Sequence, residues 1–162
     1  MKNIILGLIV AMFFLGCTKE ESIAVESKTV VGNSLETLVL NDQHEKPQSL
    51  SADTKKVIFA FSKDMGHMSN EYFNKQDPNF LVEHNAVFIA DVSGAPSLIR
   101  SMFIMPGLKD FKHPVLVIED KNVAASYRID ENSEKLMILD VDNFIITNIS
   151  YVASEDELAK AL

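Results

Sequence analysis

Met65, His67 and Met68 stand together in one tetrapeptide with Gly66, and His113 precedes Pro114 further along the chain. Thioether sulfur and imidazole nitrogen together suit Cu(I). The same methionines have a plainer use. Met65, Met68, Tyr72 and Phe73 recur at i, i+3, i+7 and i+8, which is one helical face. Methionine commonly fills gaps in a core, and a side chain pointing inward cannot also hold an exposed metal. Other constellations are weaker. Ser62, Ser69 and Ser93 lack a nucleophile-elbow pattern. Asp64 with Asp91 reads as polar residues at strand ends. Asp140-Val141-Asp142-Asn143 is too short for a calcium loop and lacks its glycine and terminal glutamate. No phosphate loop, dinucleotide fingerprint or zinc spacing is present. With no nucleophile-and-base pair in view, the residues point to binding rather than catalysis.

The only cysteine is Cys17, and it follows an uncharged apolar run from Ile4 to Leu15. That run is shorter than the roughly 20 residues a spanning helix needs. With Lys2 ahead of it, it fits the apolar region of a secretory signal peptide. Gly16-Cys17 resembles a bacterial lipobox, in which the leader is cleaved and the cysteine becomes the acylated first residue. The resemblance implies a signal peptide over residues 1–16 and palmitate or a similar acyl chain on Cys17. It implies a cell-envelope lipoprotein, anchored to the inner or outer membrane with its domain facing the periplasm. Two or more acyl chains anchor stably where one does not.

Cleavage there removes Lys2 alone among the charged residues, so 14 cations and 23 carboxylates remain and the net charge goes from −8 to −9. Such a domain repels nucleic acid and anionic lipid. Residues 17–31 read as the lipidated cysteine and a flexible tether rich in Lys, Glu and Ser. Residues 32–162 are long enough for one domain with its own core.

The chemistry-bearing residues need elements to position them. Leu35–Leu40 and the turn Asn41–Pro47 predict an N-terminal strand and hairpin. Val57–Phe61, Ala86–Ala90 and Val115–Ile118 are apolar runs without alternation, as in strands buried on both faces. Asp64 is expected to cap a helix from Met65, and Asp77-Pro78 to restart it. A second helix opens at Ser93–Pro96, with Leu98, Ile99, Met102 and Phe103 on one side, Met102 and Met105 on a buried face, and Pro106-Gly107 as its end. Val123–Tyr127 is expected as a strand after the Glu119–Asn122 turn. Leu136–Leu139 and Phe144–Val152 follow as strands around Asp140–Asn143. Ser154-Glu155-Asp156-Glu157 is a capping box for a final helix. The sum predicts an α/β domain with a mixed sheet and helices on both faces.

This order resembles the thioredoxin fold, in the version with an N-terminal hairpin found in peroxiredoxins and cytochrome-maturation thioredoxins. Gly32–Leu50 resembles the opening hairpin. Val57–Ser62 followed by Asp64–Met68 resembles the active-site strand and helix start, and His113-Pro114-Val115-Leu116 resembles the loop with the cis proline. Either Val115–Tyr127 or Leu136–Val152 matches the family's last hairpin. The family's two cysteines would fall at or beside Met65–Met68, where there is none. Disulfide exchange and peroxide reduction both need a thiolate, so neither activity is carried over. The resemblance implies a groove between the Met65 helix start and the Pro114 loop. Phe61, Met65, Met68 and Phe111 would be its apolar contacts, with Pro114 beside them and His67 and His113 at the rim. The expected partner is another envelope protein or a peptide, and no cofactor is required. The alternative is a Cu(I) carrier whose ligands are Met65, His67, Met68 and His113.

Overall fold

The structure is a computed structural model in which residues 26–162 are described. The leader, Cys17 and the first part of the tether lie outside the described residues. Seven strands form one sheet: β1 (Val39–Asp42), β2 (Pro47–Ser49), β3 (Lys56–Ala60), β4 (Ala86–Asp91), β5 (Leu116–Ile118), β6 (Leu136–Asp142) and β7 (Ile145–Val152). Their spatial order is β2-β1-β5-β4-β3-β6-β7. The pairs β3–β4 and β4–β5 are parallel, while β1–β2, β1–β5, β3–β6 and β6–β7 are antiparallel. Each parallel pair is joined through helices, as parallel connection requires.

Successive side chains of a strand point to opposite faces, and both faces here are buried. Val57, Phe59, Ile89, Leu116, Ile118, Met137 and Leu139 enter one core. Ile58, Ala60, Phe88, Ala90, Val117, Leu136 and Ile138 enter the other. That is why the central strands read as continuous apolar runs. On the second face lie α1 (Lys63–Asn74), α2 (Phe80–Glu83), a composite helix and α6 (Glu155–Ala161), contributing Phe73, Leu81, Met105, Leu108 and Leu158. The first face is covered by α5 (Lys121–Tyr127), through Ala124 and Tyr127, and by Leu35 and Leu38 ahead of β1.

Several local expectations are corrected. Val123–Tyr127 is helix, not strand. Asp120 caps it by accepting the Asn122 N–H, and Ala124 and Tyr127, three residues apart, are both buried. The last hairpin is therefore β6–β7, which leads into α6. Its turn is tighter than expected: Asp140–Asp142 stay in β6, and Asn143 and Phe144 turn the chain with φ of 44° and 69°. Two left-handed residues match the twist of a two-residue hairpin. Lys56 holds Asp140 in the sheet at 2.7 Å. β1 begins at Val39 and takes in Asn41 and Asp42, because Asp42 Oδ1 accepts the N–H groups of His44 and Lys46 and moves the turn beyond it.

The tether is shorter than expected at its domain end. The Lys28 N–H donates to the Ser126 carbonyl at 2.7 Å, and the buried Thr29 hydroxyl donates to the Tyr127 carbonyl at 2.6 Å. Residues 28–31 thus belong to the domain.

The largest departure is the composite helix, made of α3 (Ser97–Ile99), a π turn (Arg100–Ile104) and α4 (Met105–Lys109). Pro106-Gly107 does not end it. Pro106 has no N–H to give to the carbonyl four residues back, and its ring would crowd that carbonyl in a regular helix. The preceding turn is widened, and the Met105 N–H donates to the Arg100 carbonyl, five residues away. Met105 is buried as expected, but Met102 is exposed.

Candidate binding cleft

β3 ends at Ala60, and Phe61-Ser62 lead into α1. Phe61 lies parallel to Phe59, with ring centroids 5.5 Å apart. The cap of α1 is Ser62, not Asp64: the Ser62 hydroxyl accepts the Met65 N–H at 3.4 Å, and Asp64 sits in the first turn. Across from this helix start lies the segment between α5 and β6. It contains Arg128, the 3-10 turn Asp130–Asn132, Ser133 and Glu134. Antiparallel pairing of β3 with β6 forces the juxtaposition, since the end of β3 meets the beginning of β6.

The two segments enclose an open cleft of about 630 Å³, lined by Phe61, Ser62, Lys63, Asp64, Arg128, Asp130, Ser133 and Glu134. The Arg128 guanidinium Nε donates to Asp130 Oδ1 at 2.8 Å, which leaves its other N–H groups for a ligand. Phe61 gives the floor an apolar surface and the rim carries both signs of charge. Such a site can hydrogen-bond an extended backbone and select on charge. No histidine lines it, and the Ser62 and Ser133 hydroxyls are engaged with the Met65 N–H and the Asp130 carbonyl.

The His113-Pro114 loop lies elsewhere. It leads into β5, on the far side of β4 from β3. It packs on the middle of α1: His113 Nε2 is 3.0 Å from Asn70 Oδ1, and its ring lies 5.5 Å from Phe73. His113 is 1% exposed, walled by Phe73, Phe88 and Phe111, so it is not at a rim. Gln43 fixes the loop from below. Its Nε2 donates to the His113 carbonyl and its Oε1 accepts the Val115 N–H, each at 2.9 Å. The peptide bond at Pro114 is trans, since the described residues contain no cis bond. Phe111 faces His113 at 5.3 Å and packs against the second core.

The groove expected between the Met65 helix start and Pro114 is therefore not formed. Of its proposed lining, only Phe61 reaches the cleft. Met65 and Met68 pack partly buried against the second core, while His67 is exposed on α1. The four proposed copper ligands are not brought together either, because His113 is enclosed by aromatic rings and bonded to Asn70. Burial pushes the His113 imidazole down to about 4, since a charged ring would lose its hydration without gaining an anion. The real partner of the helix start, residues 128–134, was missed by sequence reasoning. The apolar strand at 136 was legible, but its pairing with the strand at 57, which brings the segment before it to the helix start, was not.

No family model matches the chain, and no curated protein does. Among solved structures, a thio-disulfide isomerase from Thermus thermophilus superposes with a TM-score of 0.51 at 16% identity, covering 82% of this chain and 94% of that one. A peroxiredoxin-like protein from Aquifex aeolicus also gives 0.51, at 11% identity, covering 85% and 88%. Likeness at this level establishes the fold, which is thioredoxin-like.

Proposed function

We propose that this chain is a lipid-anchored envelope protein whose thioredoxin-like domain works without thiol exchange, by capturing a protein or peptide in the cleft at the start of α1. One observation carries the reading. The open cleft lies between the ends of β3 and β6, while the chain's single cysteine lies far ahead of the domain at position 17. A cleft without a thiol can hold a partner but cannot exchange a disulfide with it. Arg128, Lys63 and the carboxylates of Asp64, Asp130 and Glu134 supply charged contacts, and Phe61 supplies an apolar one. An extended peptide seated there would be held in part by backbone hydrogen bonds. No observation favours copper as a second reading.

The test is in-cell photocrosslinking from position Ser133, with the captured species identified by mass spectrometry. Capture of a defined envelope protein is expected, lost when Asp64→Arg and Arg128→Glu are combined and kept in Val82→Glu. Capture that ignores the double substitution would overturn the cleft as the binding surface.

A further inference from the structure

The composite helix leaves an apolar face without a partner. Leu98 is 65% exposed, Ile99 42%, Met102 58% and Phe103 65%. Single exposed hydrophobes are ordinary on protein surfaces, but a contiguous set of large ones on one helix marks an interaction site. The π turn creates this face. In a regular helix Leu98, Met102 and Met105 would share one stripe, at i, i+4 and i+7. The extra residue in the widened turn shifts that phase, so Met105 and Leu108 are buried while the residues before them turn outward. π turns occur frequently at functional positions.

Charge narrows the occupant. Residues 92–109 form the longest run of the described chain without a carboxylate, in a domain otherwise rich in them. Arg100 does not interrupt the face. Its guanidinium folds back onto the Ala95 carbonyl at 2.9 Å. On the neighbouring side, Lys109 is paired with Glu45 at 3.1 Å. The result is an uncharged apolar outer face on an otherwise acidic domain, a surface that can approach an anionic bilayer without like-charge repulsion.

The route of the chain sets how far the anchor can reach. Lys28 is hydrogen-bonded to Ser126 near the end of α5, and α5 starts just after β5. Val92, ahead of the composite helix, is hydrogen-bonded to Ile118 at the end of β5. The N-terminal entry therefore lies on the α5 side of the sheet, and the composite helix packs on the other. Nine residue steps separate Cys17 from Glu26, a reach of at most about 32 Å.

We infer that the Leu98–Phe103 face inserts shallowly into the headgroup–acyl boundary of the bilayer that carries the Cys17 anchor. The inference rests on the anchoring proposed above. It adds a second, non-covalent contact that sets the orientation of the domain. With Cys17 acylated, an introduced cysteine is the only free thiol in the chain.

The test places an environment-sensitive fluorophore at Met102→Cys in the mature lipidated chain. The chain is reconstituted in vesicles with phosphatidylethanolamine in excess over phosphatidylglycerol. The control label is at Val82→Cys, similarly exposed on α2 at the opposite end of the sheet. The label at 102 is expected to shift to the blue and to be quenched by aqueous iodide several-fold more slowly than the label at 82. Adding Leu98→Glu and Phe103→Glu should abolish the difference while the protein still floats with the vesicles. Flotation with equal quenching at both positions would overturn the inference and leave the anchor standing. Failure to float would overturn the anchoring itself, and the inference with it. Shielding at 102 that needs no vesicles and grows with protein concentration would mean a second copy covers the face, which also overturns lipid insertion.

Discussion

His113 shows how a residue that looks chemical in sequence becomes structural through burial. Its Nε2 is bonded to Asn70, its Nδ1 has no partner, and aromatic rings enclose it with no charged side chain among them. Its folded pKa of about 4 lies below the ordinary 6.5. The unfolded chain therefore binds more protons between these values, and stability falls as pH drops through that window. The slope contributed by one group is at most about 1.4 kcal/mol per pH unit. Urea unfolding of His113→Leu across this range should show a flatter midpoint-versus-pH curve than the parent, despite lower stability at neutral pH. Equal slopes would mean that the imidazole titrates normally. Gln43 works beside it for a different reason: its two hydrogen bonds satisfy a buried carbonyl and a buried N–H that a hydrophobic side chain would leave bare.

At the scale of elements, the composite helix carries the most consequence. Pro106, inside it, would break a regular helix, and the widened turn ahead of it absorbs the conflict instead. Deleting Ser101, exposed within that turn, removes the extra residue. The segment before it should then rotate by about 100° relative to α4. Labelling of a cysteine at position 98 should become slower in the deletion variant than in the full-length background. Unchanged labelling would show that the π turn does not cause the exposure. The hairpin β6–β7 is set by more local means, through the left-handed pair Asn143-Phe144 and the cross-strand contacts of Asp140 with Lys56 and Asn148.

For the whole molecule, charge is the dominant long-range property. The five ion pairs among the described residues all involve exposed or half-exposed side chains. Each such pair is worth about 0–1 kcal/mol. Against them stands the self-repulsion of a net charge of −8, which salt screens. Raising ionic strength from low to physiological should therefore raise Tm modestly. A fall in Tm would mean that the ion pairs outweigh the repulsion. The same acidity would keep most of the surface off an anionic membrane and leave the carboxylate-free helix as the face that tolerates contact.

The strand cores, the hairpin, the final capping box and the absence of a thiol from the domain were legible in the residues alone. These follow from local patterns: apolar runs, turn residues, cap spacing and a single Cys17. The order strand–helix–strand was legible for the same reason, and with it the thioredoxin-like fold. Which loops meet depends instead on the order of strands in the sheet. His113-Pro114 looked like the neighbour of the helix start. The strand order instead sends it to the middle of α1 and brings residues 128–134 to the cleft, because β6 pairs with β3 while β5 lies beyond β4. Val123–Tyr127 carries too few residues for its period to separate strand from helix, and its capping by Asp120 and its packing settle it as helix. Likewise, apolar spacing placed Leu98, Ile99, Met102 and Phe103 on one side, but the extra residue in the π turn, which separates their phase from that of buried Met105, is a change that spacing alone does not encode.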